Sequence, residues 1–247
     1  MDVEKETLEF YNQIVNDFAS RTVSADMSEE QGRFTACLPE GALILDFGCG
    51  AGRDTKAFLD AGYRVEAADG SEEMCRAASA CTGIPVKRML FEELDAENRY
   101  DGIWACASLL HLPAEKLPDV LRKIERALKP GGVLYASFRY GDFEGMLNGR
   151  YFSYYTEETM QEAFKAVPGL QIFDIRIAED RLPEKRELQW ICVLVRRMQE
   201  IPLQIIQKRR ALTSPIGFSE TLFRLFSLIC LRMNTCIQWP DMILLKS

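Results

Sequence analysis

Strand-like apolar runs alternate with helical patterns from residue 40 to residue 197, and this alternation limits the fold more than any other feature of the chain. The runs are nearly continuous in apolar residues, which is typical of parallel strands covered on both faces. They are ALILDF (42–47), YRVEAAD (63–69), VKRML (86–90), YDGIWACA (100–107), GVLYASF (132–138), LQIFDIRI (170–177) and LQWICVLV (188–195). The sequence therefore predicts an α/β fold: a doubly wound, Rossmann-like, mostly parallel seven-stranded sheet with helices on both faces.

The helical pattern before the fifth run is the clearest one in the chain. A spacing of three or four positions puts five apolar residues on one face, at Leu117, Val120, Leu121, Ile124 and Leu128. The Lys-Pro-Gly-Gly sequence at 129–132 is expected to end this helix. The last two strand-like runs have no helical pattern between them, which predicts an antiparallel C-terminal edge.

The chain divides into three expected parts. Residues 1–39 hold two helical patterns, at 4–20 and 27–38, and are predicted to form an N-terminal helical cap. Residues 40–197 form the main α/β domain. Residues 198–247 fit neither pattern and are treated as a C-terminal extension of unknown role.

Composition limits the environment and the partners. The eight cysteines among 247 residues include no CxxC pair, so reduced thiols and no metal site are expected. The N-terminus is charged and lacks an apolar core, and no apolar run is long enough for a membrane span, so a cytoplasmic location is expected. The main body is acidic, which makes a nucleic-acid partner unlikely because such binding depends on neutralising phosphates.

The C-terminal extension is basic and carries an apolar run from Leu222 to Met233. That run is too short and too charged to span a membrane, yet too apolar to remain uncovered in water. The chain's own domain, a second copy in a homodimer or a lipid surface could cover it, and docking against protein is the prediction.

The stretch ILDFGCGAGRD, residues 44–54, follows the first strand with glycines at 48, 50 and 52. Glycine permits a positive φ and lets a ligand approach the backbone closely. In open α/β sheets, ligands bind beyond the carboxyl ends of the strands, where this turn lies. The spacing is GxGxG and not the GxGxxG of dinucleotide enzymes, and Asp54 in the first helical turn would repel a pyrophosphate. Asp46 instead offers a carboxylate to a cationic group.

This turn resembles the first motif of class I S-adenosylmethionine-dependent methyltransferases. VEAADGSEEMCRAA resembles the second motif, whose acid binds both ribose hydroxyls and is here Asp69. YDGIWACASLLHLP and ALKPGGVLYASF match the fourth and fifth strands, so the resemblance covers residues 40 to about 140. Within the class, GCGAGRDTKAF and WACASLLHLP look most like small bacterial enzymes grouped with tellurite-resistance methyltransferases.

The resemblance implies S-adenosyl-L-methionine as the cofactor. It implies cofactor contacts from Asp46, Gly48, Cys49, Gly50, Gly52, Arg53, Asp69, Gly70, Phe91, Glu92, Cys106 and Ser108. The third strand lacks the usual adenine-binding acid, since Leu90 or Phe91 stands there, and an apolar wall with backbone contacts is expected instead. The fourth strand ends in ACASLLHL and not in Asn/Asp-Pro-Pro-aromatic, which disfavours methylation of nucleobase amines.

His111, the one histidine of the chain, follows the fourth strand and is the candidate general base. A hydrogen-bonded wall residue is the alternative. Candidate substrate contacts are Tyr11, Arg21, Arg139, Arg150, Tyr151 and Tyr154, with ordinary packing as the alternative for the aromatic ones. The expected function is methyl transfer to a small molecule; methylation of protein or nucleic acid and non-catalytic cofactor binding are the rivals.

Overall fold

The computed structural model describes residues 3–22, 25–182 and 187–199, and one seven-stranded sheet lies at its centre. The strands are β1 (Leu43–Phe47), β2 (Arg64–Asp69), β3 (Val86–Arg88), β4 (Tyr100–Ala105), β5 (Leu128–Arg139), β6 (Glu144–Leu147), β7 (Arg150–Ser153), β8 (Leu170–Glu179) and β9 (Gln189–Arg197). The helices are α1 (Val3–Thr22), α2 (Ser28–Thr35), α3 (Arg53–Asp60), α4 (Glu72–Thr82), α5 (Leu117–Ala127) and α6 (Glu157–Lys165).

The strand order in the large sheet is β3-β2-β1-β4-β5-β9-β8. Strands β1 to β5 are parallel, and β9 is antiparallel to both β5 and β8. The predicted sheet and its antiparallel edge are therefore confirmed, with β8 as the outermost strand. The strand order reverses at β1: β2 and β3 lie on one side of it, and β4 and β5 lie on the other. A crevice opens at the carboxyl ends of the strands at such a reversal.

Apolar side chains cover both faces of the sheet. On one face, α5 buries the predicted stripe, including Leu117, Val120, Leu121 and Ile124, all at zero exposure. On the other face, the Trp104 and Tyr135 rings stack with their centroids 4.0 Å apart, and Phe34 and Phe58 pack beside them. This two-sided burial explains why the strands show continuous apolar runs and not alternation.

Strand β5 begins earlier than the sequence predicts, at Leu128 and not at residue 132. Its pairing with β4 shifts register between Tyr100 and Gly102, and the Lys-Pro-Gly-Gly sequence lies at this irregularity. Prolines and glycines are tolerated in a strand at such points. The helix α5 still ends before this sequence, as expected.

A two-stranded hairpin, β6–β7, lies outside the large sheet and was not predicted. Its strands pair from Leu147 with Arg150, so Asn148 and Gly149 form the connection, at φ of +50° and +78°. An Asn-Gly pair is the strongest short sequence signal for such a turn, because both central residues need a positive φ. The sequence carries that signal at Asn148 and Gly149.

Helices α3 and α4 approach closely at Gly52, which precedes α3 at a φ of +91°. A Cβ built there would lie 3.1 Å from the Ala78 Cα and 2.9 Å from the Thr82 Cγ2 of α4. Gly52 was predicted to contact the cofactor. The structure places it in this helix contact and not among the residues that line the cavity described below.

Two further expectations concern membrane spans and the C-terminal extension. None of the helices in the described ranges is both long and apolar enough to cross a membrane. The predicted docking run at 222–233, and all of residues 200–247, lie outside the described residues. The three-part division of the chain stays a prediction.

Replacing Gly52 with alanine should cost more stability than the same change at Gly83, which ends α4 at a φ of +77° with nothing within 4 Å of its Cβ position. Both changes place alanine in the left-handed region, at roughly 1 kcal/mol. Only Gly52→Ala adds overpacking, at about 1–3 kcal/mol more. Urea unfolding without ligand measures the difference, and equal losses would contradict the close contact.

Candidate functional site

A cavity of about 720 Å³ lies at the carboxyl ends of the parallel strands. This volume is within the range of small-molecule sites, about 300–1,000 Å³. The cavity brings together most of the predicted site residues: Asp46, Gly48, Cys49, Gly50, Arg53, Asp69, Gly70, Phe91, Glu92, Cys106, Ser108, Tyr11, His111 and Arg139. Residues separated by more than a hundred positions in sequence therefore share one ligand-sized space.

The glycine turn after β1 passes close to the loop after β4. Gly48 has a φ of +86°, and a Cβ there would lie 2.3 Å from the Ser108 Cβ. The backbone N–H groups of Gly48 and Cys49 donate to the Ala68 carbonyl at 2.8 and 3.0 Å, which holds the turn beside β2. Only glycine fits at position 48, for both the space and the backbone angle.

Asp69 ends β2 with its carboxylate facing the turn. Its Oδ2 accepts a hydrogen bond from the Gly50 N–H and its Oδ1 one from the Ser71 N–H, both at 2.9 Å. Burial raises the pKa of this carboxyl, while the two backbone donors act against that rise. Each oxygen has a further lone pair, so the group could accept two hydroxyl hydrogens from a vicinal diol.

Asp54 is paired within the protein at the cavity wall. Its carboxylate accepts from the Arg53 Nε and Nη2 at 2.9 and 2.8 Å, from the Trp104 Nε1 at 2.9 Å and from the Gln31 Nε2 at 2.8 Å. Arg53 neutralises its charge, so Asp54 does not present a free negative charge to a ligand. It joins α2, α3 and β4 at the cavity wall, through partners that are distant in sequence.

Asp46, at the end of β1, is buried beside Asp54. Its Oδ2 accepts a hydrogen bond from the Thr55 Oγ1 at 2.6 Å. Burial, and then the charge of Asp54, raise the pKa of the Asp46 carboxyl to about 8. Near neutral pH this carboxyl is therefore largely protonated, and a cationic group placed beside it would favour loss of the proton.

His111 is held by both of its ring nitrogens. Nδ1 lies 2.6 Å from the Tyr151 carbonyl oxygen, and Nε2 lies 2.8 Å from the Tyr11 hydroxyl. Because a carbonyl can only accept, Nδ1 carries the proton and Nε2 accepts from Tyr11. Burial lowers the pKa of the imidazole to about 4, so the ring is neutral at physiological pH with Nε2 as its basic atom.

Helix α1 covers one side of this space. Its Leu8, Tyr11 and Phe18 side chains are part of the cavity lining. The Thr7 Oγ1 accepts from the Tyr151 N–H at 2.9 Å, and the Asn12 Oδ1 accepts from the Ser71 Oγ at 2.7 Å, so the helix is tied to β7 and to the start of α4. The cap therefore forms a wall of the cavity as well as covering the sheet.

The expected adenine wall is also at the cavity. Phe91 lines it and packs edge-on against Phe47 at 5.0 Å between centroids. Glu92 lies 3.4 Å from the Lys116 Nζ, and the Glu93 Oε2 accepts from the Leu90 N–H at 2.7 Å. Glu93 thus fixes the turn, and Leu90 and Phe91 supply apolar surface.

Cys49 and Cys106 line the cavity as thiols. Burial raises the pKa of both, so neither supplies a thiolate near neutral pH. This agrees with their interpretation as small side chains that fill space and not as nucleophiles.

Four predicted substrate residues do not line the cavity. Arg21 pairs with Asp17 on the exposed side of α1, the Arg150 guanidinium packs on aromatic rings, the Tyr151 hydroxyl donates to Glu144, and Tyr154 packs against Phe143 and Phe152. Tyr151 still contributes its backbone carbonyl to His111. Only Tyr11 and Arg139 of the six candidates line the cavity. The β6–β7 hairpin directs the Arg150 and Tyr151 side chains towards neighbouring elements, and Arg21 lies on the exposed side of α1.

Comparison with known proteins shows what the central region resembles. Residues 44–132 match the family model described as a methyltransferase domain. A solved Burkholderia thailandensis structure, 1,6-didemethyltoxoflavin-N1-methyltransferase with bound 1,6-didemethyltoxoflavin and S-adenosylhomocysteine, is 25% identical with a TM-score of 0.64, covering 79% of this chain and 87% of that one. Together with the glycine turn, these matches show that the central region is similar to S-adenosylmethionine-dependent methyltransferases in sequence and fold.

Two curated relatives match part of the chain. The ubiquinone biosynthesis O-methyltransferase of Xanthomonas axonopodis pv. citri is 32% identical over 106 residues, which is 40% of this chain and 44% of that protein. The cypemycin N-terminal methyltransferase of a Streptomyces species is 30% identical over 101 residues, covering 39% and 41%. The chain thus spans less than half the length of these relatives.

The depressed pKa of His111 predicts a pH-dependent stability. Between pH 7 and pH 5 the unfolded imidazole takes up a proton and the folded one does not, so stability falls as pH falls, by about 2 kcal/mol from this group. His111→Gln keeps hydrogen-bonding capacity without titrating. Urea unfolding at both pH values should therefore show a loss about 2 kcal/mol larger in the parent than in the variant. Equal losses would mean that His111 is not held neutral.

Proposed function

We propose that the protein transfers a methyl group from S-adenosylmethionine to a small-molecule acceptor. The observation that carries the proposal is a single cavity that contains the glycine turn and Asp69 together with a neutral His111. The relatives' names support the class of reaction, and the Burkholderia relative was solved with a small heterocycle bound.

The residues present fit this cofactor. Asp69 is a buried carboxylate with acceptor capacity for a ribose diol, and the turn at Gly48 leaves no room for a side chain. Asp46 would take up a cationic amino group, and Leu90 and Phe91 would flank an aromatic base. When bound, S-adenosylmethionine supplies an activated methyl group on a sulfonium, so the protein's task is alignment and exclusion of water.

Tyr11 and His111 could remove a proton from the acceptor. Tyr11 lines the cavity and donates to the His111 Nε2 at 2.8 Å. An acceptor hydroxyl or amine that gives its proton to the Tyr11 oxygen would let Tyr11 pass its own proton to Nε2. The Tyr151 carbonyl, which accepts from Nδ1, would stabilise the imidazolium formed. A thiolate acceptor would need no such base, and the pair would then serve as a wall.

Finer assignments stay predictions. These are the likeness to tellurite-resistance methyltransferases, a cytoplasmic location and a homodimer.

Methylation of a peptide is the second candidate function, since one relative is named as an N-terminal methyltransferase. Incubation with S-adenosylmethionine and separate panels of small molecules and peptides, followed by detection of S-adenosylhomocysteine, distinguishes the two; turnover with peptides alone would reject a small-molecule acceptor.

Asp69→Ala should weaken binding of S-adenosylhomocysteine by about 1.5–3 kcal/mol, the scale of hydrogen bonds to a charged group, or roughly tenfold to 150-fold in Kd. Isothermal titration calorimetry measures it. Asp95→Ala is the matched control, because the Asp95 side chain is 86% exposed and does not line the cavity. If the parent protein does not bind S-adenosylhomocysteine, the proposed function is wrong. An unchanged Kd in Asp69→Ala would remove only the role of Asp69.

Binding at pH 7 should release about one proton from Asp46, because its raised pKa of about 8 keeps it protonated until a cationic group arrives. Calorimetry in buffers of different ionisation enthalpy counts the protons. Asp46→Asn cannot release that proton and should differ from the parent by about one. Identical proton counts would show that no cationic group binds beside Asp46.

A further inference from the structure

Arg139, the last residue of β5, enters the cavity with two nitrogens that have no partner. It pairs across the sheet with Trp190 of β9, and its guanidinium carbon lies 4.5 Å from the Trp190 ring centroid. Its Nε and Nη1 atoms are buried, and neither has a hydrogen-bond partner in the described part of the chain. Buried charged donors without acceptors are costly, so a ligand that supplies an acceptor would recover free energy.

Two other arginines of the cavity lining have carboxylate partners. Arg53 pairs with Asp54, and Arg181 pairs with Glu29 and Glu30. The Arg139 guanidinium packs on the Trp190 ring and forms no ion pair with a carboxylate in the described ranges. Burial lowers the pKa of Arg139, and the nearby charge of Arg150 acts in the same direction. An arginine nevertheless keeps its charge at physiological pH, so a positive charge remains at this wall without a paired anion.

Asp180 is a candidate internal counter-ion because its charge acts on Arg139, but its two oxygens bond to other groups and not to Arg139. Its Oδ2 accepts from the Trp190 Nε1 at 3.0 Å, and its Oδ1 accepts from the Leu182 N–H at 2.9 Å. The charge of Asp180 favours the protonated form of Arg139, although no hydrogen bond joins the two side chains. Asp180 therefore holds the Trp190 ring in place, and Trp190 supports one face of the guanidinium.

The charges along the cavity differ from one strand end to the next. The ends of β1 and β2 carry the acids Asp46 and Asp69, which the cofactor is expected to contact. The end of β5 carries Arg139, on the far side of β4 from β1 in the sheet order. His111 follows β4, between these two regions of the sheet edge. Arg139 thus borders the part of the cavity that is left for the acceptor.

We propose that Arg139 binds a carboxylate group carried by the methyl acceptor, with Trp190 supporting the guanidinium plane. A planar guanidinium matches a carboxylate in charge and shape. A single negative charge suits the site better than a phosphate dianion, because Glu179 and Asp180 also line this part of the cavity. That the ligand is the methyl acceptor rests on the function proposed above, whereas the anion site itself does not.

Paired probes test the carboxylate preference. Benzoate against benzamide, nicotinate against nicotinamide, and anthranilate against 2-aminobenzamide differ mainly in charge. Each is titrated into protein saturated with S-adenosylhomocysteine, and also into protein without it, by calorimetry and thermal melting. We expect at least one carboxylate to bind the parent about tenfold or more tightly than its amide, the scale of a charged hydrogen bond.

Three variants assign that preference. Arg139→Gln should abolish the carboxylate preference. Arg139→Lys should retain part of it, because the positive charge remains while the planar guanidinium with its paired N–H donors is lost. Arg88→Gln is the matched control: Arg88 is an exposed arginine that lines the same cavity, and its loss should leave the preference intact. Affinity for S-adenosylhomocysteine should be unchanged in Arg139→Gln, which also shows that this variant is folded.

The outcomes separate the two proposals. No carboxylate preference in any pair, or a preference that survives in Arg139→Gln, would overturn the assignment of Arg139. Weaker S-adenosylhomocysteine binding by a folded Arg139→Gln would overturn it as well, because the arginine would then bind the cofactor's own carboxylate. A parent protein that binds carboxylates through Arg139 but not S-adenosylhomocysteine would sink the methyltransferase proposal and leave the anion site standing.

Discussion

One carboxylate joins the two loops on which the site is built. Asp69 takes the Gly50 N–H of the turn after β1 and the Ser71 N–H at the start of α4, one on each oxygen. Burying a carboxylate is unfavourable unless it is well hydrogen-bonded, and these two donors offset that cost in part. The position of the glycine turn, the start of α4 and the acceptor atoms for a diol therefore depend on the same side chain.

Burial also separates the chemical roles within the cavity. The same exclusion of water keeps Asp46 protonated and His111 neutral, so the two groups that could exchange protons near neutral pH are held in their uncharged forms. Arg139 cannot respond in this way, because a guanidinium keeps its proton. One end of the cavity thus adapts its charge to what binds, and the other presents a fixed positive charge.

The sequence predicted what depends on local pattern and missed what depends on distant contacts. Apolar periodicity was sufficient for the sheet and its antiparallel edge, and Asp69, which ends β2, was proposed from the resemblance of the second motif to methyltransferases. The hydrogen bonds of Asp54 could not be predicted, because its partner Trp104 lies fifty residues away along the chain. Gly52 could not be assigned to a helix contact without knowing that α4 returns beside it. The β6–β7 hairpin was predictable from its Asn-Gly turn, whereas the direction of Arg150 was not.

Leu8, Tyr11 and Phe18 of helix α1 line a cavity whose other lining residues include the strand ends of the sheet. Helix α1 is attached through side-chain contacts such as Thr7 with the Tyr151 N–H, and it contributes no strand to the sheet. Substitutions along its inner face can therefore reshape the space beside His111 while the strands that carry Asp46 and Asp69 stay unchanged. Changes in α1 could therefore alter which molecule fits beside His111 without altering the strand ends that carry the two acids.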